Sequence, residues 1–400
     1  MTEPPADAPP DPRAAFPVIG VVGAGIMGSG IAQLALEAGH EVVLHDVDAA
    51  AVDRGRHRIA DGLARRAAKA AADPAGTDAW IGERLERLRT SEVLEHLGDE
   101  ADVVIEAALE SLELKRTIFR ALDAVAAPST ILATNTSALS IADIAAHTRR
   151  PERVVGLHFF NPAPVMRLVE VVAGPATAPA STDAAAALVE GWGRTTVRST
   201  DSPGFIVNRV NRPFTLRALR LLEERRAGID AIDAAIRDAG FPLGPFELMD
   251  LTGIDVTYAA STAIWERLGR PDRLRPSPLQ AERIAAGRLG RKTGEGFHRY
   301  EDGNRVTPEH APAPDGDLGP EAIRERILLP LIDEAWRARD EGVAATADID
   351  VALRLGAAHP IGPFERTREL GGPAVVAARL RALAVDDASF SPSDALVRAG

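Results

Sequence analysis

The chain has 400 residues, of which 46% are hydrophobic and 26% are charged, and this composition excludes disorder along the whole chain. A net charge of −12 has the wrong sign for neutralising nucleic-acid or anionic-lipid phosphates, so we predict neither a nucleic-acid nor a membrane partner. Because the chain has no Cys, disulfides, Cys-ligated zinc and thiol nucleophiles are excluded, and we predict no metal site.

The first sixteen residues are predicted to form a disordered, Pro-rich tail. They lack both the apolar core of a secretory signal and the Arg-rich helix of an organellar transit peptide. No later stretch approaches the roughly 20 uncharged apolar residues that a membrane span needs. We therefore expect a cytoplasmic protein.

Residues 17–200 are predicted to form an α/β Rossmann-type domain. A strand, a glycine turn, a helix and a second strand follow one another from Pro17 onward. Further apolar runs of strand length are Asp102–Glu106, Thr130–Thr134, Arg153–His158 and Arg167–Val172. Strands that alternate with helices predict a mostly parallel sheet covered on both faces.

From residue 201 the pattern becomes helical, which predicts an all-α domain over 201–300. The helical stretches are Gly204–Ala227, Asp230–Ala239, Glu247–Leu268 with a break near Gly253, and Pro278–Gly287, followed by a short strand His298–Tyr300. Residues 301–319 are predicted to be a linker. Beyond it, HPIGPFE from His359 repeats FPLGPFE from Phe241, so residues 320–400 are predicted to be a second, degenerate helical copy.

A dinucleotide site is predicted at the first glycine turn. Its G-x-G-x-x-G spacing permits a tight turn, close approach of the backbone to a pyrophosphate and close packing of helix on strand. Asp46 follows the second strand, where a carboxylate accepts hydrogen bonds from a ribose diol and repels a 2′-phosphate, which favours NAD over NADP. The predicted turn residues are Gly23, Gly25, Ile26, Met27 and Gly28.

Hydride transfer from an alcohol needs a base that is neutral before reaction, and His suits this role. His158 ends an apolar strand at the predicted carboxyl edge of the sheet, where open α/β sheets bind ligands. Glu170 lies in the middle of another apolar strand and needs a donor partner, which His158 would supply. Most other histidines are predicted to be solvated, in particular His40, His45, His57, His96, His147 and His310.

Two further polar positions are candidates for binding a substrate oxygen. Ser137 follows a strand at the same predicted edge, with a structural capping role as the alternative. Asn208 interrupts the apolar start of a long helix, and a buried amide there needs a partner such as a ligand carbonyl.

These segments together resemble the L-3-hydroxyacyl-CoA dehydrogenase family over about residues 17–300. The resemblance rests on six motifs in order: GAGIMGSG, ATNTSALS, GLHFFNPAPVMRLVEVV, DSPGFIVNR, GFPLGPFELMDLTGID and GRKTGEGF. It implies reversible NAD-dependent oxidation of an (S)-3-hydroxyacyl thioester, with His158 as general acid/base paired to Glu170 and with Ser137 and Asn208 on the substrate oxygen. The cofactor contacts that it implies are Asp46, Glu110, Lys115, Asn161 and Lys292.

The resemblance also implies that a basic residue near Lys69 contacts the phosphates of coenzyme A, with Arg65 and Arg66 as alternatives. In the second copy, Ala322 or Arg326 stands where the first has Asn208, so that copy is predicted to have lost the substrate role. Single-copy members dimerise through the helical domain, so we expect a homodimer or an intrachain pseudo-dimer. Carrier-protein thioesters, free 3-hydroxyacids and a non-catalytic binding role remain alternatives.

Overall fold

The computed structural model describes residues 12–70, 74–306 and 316–400. The chain divides into two compact units, Met1–Asp201 and Ser202–Gly400. The predicted tail falls mostly outside the described residues. Residues 12–15 of that tail form one helical turn, and the carbonyl of Phe16 accepts a hydrogen bond from His40, so the expectation of disorder was wrong for this end of it.

An eight-stranded sheet forms the centre of the first unit. Its order is β3-β2-β1-β4-β5-β6-β7-β8, and neighbours are parallel except for the antiparallel pair β6 and β7, so the predicted Rossmann-type α/β fold is confirmed. The strands are β1 Val18–Val22, β2 Glu41–His45, β3 Leu88–Ser91, β4 Val103–Glu106, β5 Ile131–Thr134, β6 Val154–Phe159, β7 Leu168–Ala173 and β8 Thr195–Thr200.

The sequence prediction did not identify β3 and β8, the two edge strands. Both are polar and only partly buried, whereas the central strands are continuous apolar runs. An edge strand is paired on one side only and is less buried, so its residues need not be apolar. For this reason the apolar pattern did not reveal these two strands. The helices of this unit are α1 Pro12–Ala15, α2 Ile26–Glu37, α3 Ala49–Ala70, α4 Pro74–Glu86, α5 Leu94–Glu100, α6 Leu112–Val125, α7 Ile141–Ala145 and α8 Pro179–Gly191, with a 3-10 turn at Pro151–Arg153.

The second unit is helical apart from a small hairpin. Its helices are α9 Val207–Val210, α10 Arg212–Glu223, α11 Ile229–Arg237, α12 Pro245–Thr252, α13 Ile254–Arg267, α14 Pro278–Ala285, α15 Pro320–Asp340, α16 Thr346–Gly356, α17 Pro363–Glu369, α18 Pro373–Ala384 and α19 Asp394–Ala399. Three-residue 3-10 turns lie at Asp272–Leu274, Arg291–Thr293 and Ala388–Phe390.

Two predictions for this unit need correction. The helix predicted from Gly204 is divided, because α9 ends and α10 begins around Asn211. The first residues of the predicted linker form part of a hairpin, in which β9 Arg299–Glu301 pairs with β10 Asn304–Val306 and Gly303 has φ +77°. The predicted break at Gly253 separates α12 from α13, where that residue has φ +98°.

The same set of contacts recurs in the two halves of the helical unit. The Asp233 carboxylate accepts from the backbone N–H of Phe246 at 2.9 Å, and the Asp350 carboxylate accepts from the N–H of Phe364 at 2.8 Å. Glu247 accepts from Gly244 N–H, and in the same way Glu365 accepts from Gly362 N–H. The repeated FPLGPFE and HPIGPFE segments therefore build the same helix start twice.

Two histidines that were expected to be solvated are buried. His40 is 1% exposed, and its ring lies between the Phe16 carbonyl and the Trp192 indole N–H. His45 is 3% exposed and its Nδ1–H donates to the Ser91 carbonyl at 3.0 Å. Their positions at the two ends of the second strand gave no sign of burial, because each histidine finds its partners on elements distant in sequence. His310 lies outside the described residues.

Within the part of the chain that the structure describes, no helix is long and apolar enough to cross a bilayer.

Candidate active site

The glycine turn after β1 has the geometry that close approach of a pyrophosphate requires. Gly23 has φ +100°, and a Cβ there would lie 2.7 Å from the Ala107 carbonyl oxygen. A Cβ on Gly28 would lie 1.7 Å from the Gly23 oxygen, whereas one on Gly25 would meet nothing within 4 Å. The first glycine thus lets the turn pack on the backbone that follows β4, the third lets α2 pack on the turn, and the second leaves the start of α2 open to a ligand.

Asp46 holds this turn as well as facing the ligand cavity. One of its carboxylate oxygens, Oδ2, accepts a hydrogen bond from Ala24 N–H at 2.9 Å. A cavity of about 810 Å³ lies beside it, lined by Asp46, His45, Ile26, Met27, Glu92 and Glu95 among others. Burial lowers the pKa of His45, so the cavity has a neutral imidazole and three carboxylates on its wall. An adenosine with a free 2′-hydroxyl suits these groups better than a 2′-phosphate.

His158 and Glu170 form a buried pair across strands β6 and β7. The two residues stand directly opposite each other in the antiparallel register. The Glu170 Oε2 lies 2.5 Å from His158 Nδ1, and both side chains are almost fully buried, at 0% and 6% exposed. A carboxylate in that position holds Nδ1 protonated, which leaves Nε2 as the basic nitrogen of the neutral ring.

Glu110 organises the turn that carries Ser137. Its Oε1 accepts hydrogen bonds from Thr136 Oγ1 at 2.6 Å and from the Ser137 backbone N–H at 3.0 Å. Lys115 lies on the other side, with its ammonium 3.4 Å from Glu110 Oε2 and 2.6 Å from Glu106 Oε1. Lys115 is 1% exposed, so in this structure its ammonium contacts these two carboxylates, one of them fully buried, and does not line the cavity.

The ends of β5 and β6 are tied together beside the histidine. The Asn135 side-chain oxygen accepts from the Phe159 backbone N–H at 2.8 Å. Asn161 follows within the exposed loop after β6, where its peptide bond to Pro162 is cis. Ser140 caps the start of α7, where its hydroxyl oxygen accepts from the Asp143 N–H at 3.2 Å. The structure thus places the glycine turn, Asp46, Glu110, Ser137 and His158 at the carboxyl edge of the parallel strands.

Three predicted residues lie elsewhere, two in the second unit and one near the end of the described part of α3. Asn208 lies in α9, and it is only partly buried although the residues on either side of it are buried. The Lys292 ammonium lies 2.6 Å from Asp255 Oδ1 and its side chain is 46% exposed. Lys69 belongs to the last turn of α3, and its side chain falls outside the described residues.

Sequence reasoning missed three carboxylates of this site. Glu106 is fully buried at the end of β4, where it accepts from Thr134 Oγ1 and pairs with Lys115. The argument that identified Glu170, a carboxylate within an apolar strand, applies equally to this residue. Glu92 and Glu95 gave no comparable signal, because they follow an edge strand that the sequence did not reveal.

Family models match most of the chain. The model of the 3-hydroxyacyl-CoA dehydrogenase NAD-binding domain matches residues 18–202, and that of the C-terminal domain matches residues 204–300 and 323–397. The chain belongs to the 3-hydroxyacyl-CoA dehydrogenase family. The predicted family and the predicted NAD cofactor are therefore confirmed, and the protein is an NAD-dependent dehydrogenase of the hydroxyacyl-CoA class.

Individual relatives support this membership. The chain is 46% identical over 283 residues to 3-hydroxyadipyl-CoA dehydrogenase of Escherichia coli K12, a match that covers 70% of this chain and 58% of that protein. It is 41% identical to a probable 3-hydroxybutyryl-CoA dehydrogenase of Bacillus subtilis, covering 70% of this chain and 96% of the relative. A crystal structure of 3-hydroxybutyryl-CoA dehydrogenase from E. coli K12 matches with a TM-score of 0.85 at 34% identity, covering 96% of this chain and 98% of that one.

Proposed function

We propose that this dehydrogenase reversibly oxidises (S)-3-hydroxyacyl-CoA thioesters to 3-oxoacyl-CoA, with His158 exchanging the proton of the 3-hydroxyl group. The observation that carries this proposal is the buried pair of His158 Nδ1 and Glu170 Oε2, 2.5 Å apart. The names of the relatives support acyl-CoA thioesters as substrates. Oxidation at this carbon belongs to fatty-acid metabolism of the β-oxidation type, which we place in the cytoplasm.

The pair of His158 and Glu170 supplies a base that is neutral before the reaction, as oxidation of an alcohol requires. With Nδ1 protonated and directed at Glu170, the Nε2 lone pair accepts the hydroxyl proton as the alcohol is oxidised. The resulting imidazolium is stabilised by the buried carboxylate, which stays hydrogen-bonded to Nδ1. NAD, when bound, supplies the acceptor for the hydride from C3. In the reverse direction the imidazolium returns the proton to the forming alcohol.

Ser137 and Asn208 are proposed to bind the substrate oxygens. Ser137 sits on a turn whose backbone N–H groups and neighbouring hydroxyl converge on Glu110, which fixes the turn. Fixed donors stabilise charge that develops on oxygen without reorganising during the reaction. Asn208 contributes an amide from α9. Asp46, the glycine turn, Glu110, Asn161 and Lys292 are proposed to hold the cofactor, with Lys115 acting through Glu110.

A basic cavity in the first unit supports a site for the phosphates of coenzyme A. It has a volume of about 370 Å³ between α2, α3 and the loop after β6, and its wall includes Arg58, Arg65 and Arg66. Guanidinium groups bind phosphate bidentately, so Arg65 and Arg66 are favoured for this role. We expect Arg65→Ala with Arg66→Ala to raise the KM of the CoA substrate and to weaken its dependence on salt, whereas the KM of NAD stays unchanged.

Substrate turnover tests the proposed activity. NADH formation should be fast with (S)-3-hydroxybutyryl-CoA and at least about 100-fold slower with the (R) enantiomer and with free (S)-3-hydroxybutyrate. The same acyl group on a carrier protein tests the biosynthetic alternative, which preferential turnover of that substrate would favour. Absence of turnover with CoA thioesters of all chain lengths would overturn the proposal.

We also propose that residues 320–400 are a degenerate copy of residues 201–300 and that the two form an intrachain pseudo-dimer. The two matches of the C-terminal family model and the repeated helix starts support the duplication. Phe241 and His359, which occupy equivalent positions in the two copies, face each other with ring centroids 4.8 Å apart. Contact between equivalent positions is typical of a twofold interface. Sedimentation should give a monomer, and a stable dimer would favour the alternative.

A further inference from the structure

The helix that carries Asn208 is short and is not fixed by its own sequence. α9 has four residues, and the chain enters it through Gly204 at φ +79° and Phe205 at φ +48°. A left-handed conformation at a bulky residue such as Phe persists only where the surrounding structure imposes it. The position of Asn208 therefore depends on what packs against α9.

Residues 320–400, the second helical copy, hold α9 through the residue next to Asn208. The Arg209 side chain is 1% exposed, and its Nε lies 3.0 Å from Glu334 Oε1 while its Nη1 lies 2.7 Å from Glu341 Oε2. Glu334 lies in α15 and Glu341 directly follows it. A buried guanidinium without its carboxylate is strongly unfavourable, so α9 is tied to α15.

Glu334 also reaches a second arginine of the first copy. Its Oε2 accepts from Arg273 Nε at 2.7 Å, and the carboxylate itself is 1% exposed. Burial raises the pKa of Glu334, but Arg273 and Arg209 outweigh this effect and hold it below its ordinary value. The carboxylate is therefore ionised and bridges two positions of the first copy.

A separate contact fixes the other end of α9. Asn211 follows the last residue of α9, and its side-chain oxygen accepts from His359 Nε2 at 2.8 Å. The His359 ring packs on Phe214 and Phe241, with centroid distances of 6.0 and 4.8 Å. Because the first copy has Phe241 at the position equivalent to His359, only the second copy has the donor that this contact needs.

We propose that the second helical copy is a positioning element for Asn208, acting through Glu334 on Arg209 and through His359 on Asn211. The copy has no Asn at its own equivalent position, and its first helix, α15, runs unbroken over 21 residues where the first copy divides into α9 and α10. This inference rests on the proposed role of Asn208 in binding the substrate oxygen. Glu334 and His359 are positioning residues, since both act through α9.

A double-mutant cycle tests this inference in the full-length protein. Asn208→Ala, Glu334→Gln and the double variant are compared by kcat/KM for (S)-3-hydroxybutyryl-CoA and by the KM of NAD. We expect Glu334→Gln to lower kcat/KM about tenfold, to leave the KM of NAD unchanged, and to add nothing to the loss already caused by Asn208→Ala. Glu325→Gln is the matched control, because Glu325 lies in α15 and pairs with Arg379 inside the second copy; its kcat/KM should equal that of the wild type.

The double-mutant cycle distinguishes failure of the positioning role from failure of the proposed role of Asn208. Suppose that Asn208→Ala lowers kcat/KM and that Glu334→Gln lowers it by the same factor in the wild type and in the Asn208→Ala background. The positioning role is then overturned while the proposed function stands. If Asn208→Ala costs nothing, both the role of Asn208 and the inference built on it are overturned. His359→Phe provides the same cycle should Glu334→Gln fail to fold, and His359→Gln, which keeps a donor toward Asn211, should restore part of the lost kcat/KM.

Discussion

His158 and Glu170 are directly opposed on the antiparallel strands β6 and β7, and their side chains meet at 2.5 Å in the interior of the sheet. The pair sits at the one antiparallel junction of an otherwise parallel sheet. The register fixes both residues on one face, because a shift of a single position would turn one of them away. The geometry of this proposed catalytic pair is thus built into the sheet and does not depend on a loop.

Glu170→Gln tests the carboxylate. Gln keeps the size of the side chain but removes the charge that stabilises the imidazolium and fixes its tautomer, so kcat should fall by at least about 100-fold. NAD affinity, measured by quenching of intrinsic fluorescence, should change little. Glu113→Gln, on a side chain that is 82% exposed, is the control and should keep wild-type kcat. A loss below threefold for Glu170→Gln would show that the carboxylate has no catalytic effect.

Lys115 and Lys292 should respond differently to the same substitution. Lys115 is 1% exposed between Glu106 and Glu110, and the larger, planar guanidinium of Lys115→Arg should cost about 1–3 kcal/mol in the free energy of unfolding. Lys292, with a 46% exposed side chain, should tolerate Arg within about 0.5 kcal/mol. Urea unfolding measures both, and equal losses would contradict the buried placement of Lys115.

The choice of NAD over NADP should depend on more than Asp46. Glu92 and Glu95 line the same cavity, and their charges add to the repulsion of a 2′-phosphate. The pair Glu92→Gln with Glu95→Gln should raise the kcat/KM ratio of NADP to NAD about three- to tenfold. Glu100→Gln is the control, since Glu100 pairs with Arg89 and is absent from the cavity lining. An unchanged ratio in the double variant would leave Asp46 as the sole determinant among these residues.

His359 should make stability depend on pH. Burial lowers its pKa to about 3, whereas its ordinary value is 6.5. Between these values the unfolded chain binds a proton that the folded chain does not, so this stabilisation is complete above pH 6.5 and is lost as the pH falls toward 3. The slope from this group reaches about 1.4 kcal/mol per pH unit. His359→Phe should remove that part of the slope in urea unfolding at pH 4–7, and an unchanged slope would contradict the assignment.

The sequence alone predicted those features that depend on local pattern. The glycine spacing, the apolar central strands and the exceptional carboxylate Glu170 each carry a local signal, and alternation of strands and helices predicted a mostly parallel sheet. Hydrogen bonds between residues that are distant in sequence leave no such local signal. His40, for example, could not be placed without Trp192, which lies 152 residues away and donates to its ring. The edge strands escaped prediction because their sequences are polar.

The role of Lys115 shows the same limit at the site itself. The family resemblance implied a cofactor contact, but only the fold shows its ammonium turned toward Glu106 in the interior. Glu106 ends β4 and Lys115 lies in α6, so their meeting depends on how the helix returns along the sheet. Residue type and spacing fix which groups are present, whereas tertiary packing decides which of them face the ligand.

The most direct measurement is the rate of NADH formation from (S)-3-hydroxybutyryl-CoA by the wild type and by His158→Ala. If the His158 imidazole takes the hydroxyl proton, kcat should fall by about 10²–10⁴-fold while NAD still binds with wild-type affinity. A loss of less than tenfold, in a variant that remains folded and binds NAD, would contradict His158 as the general acid/base.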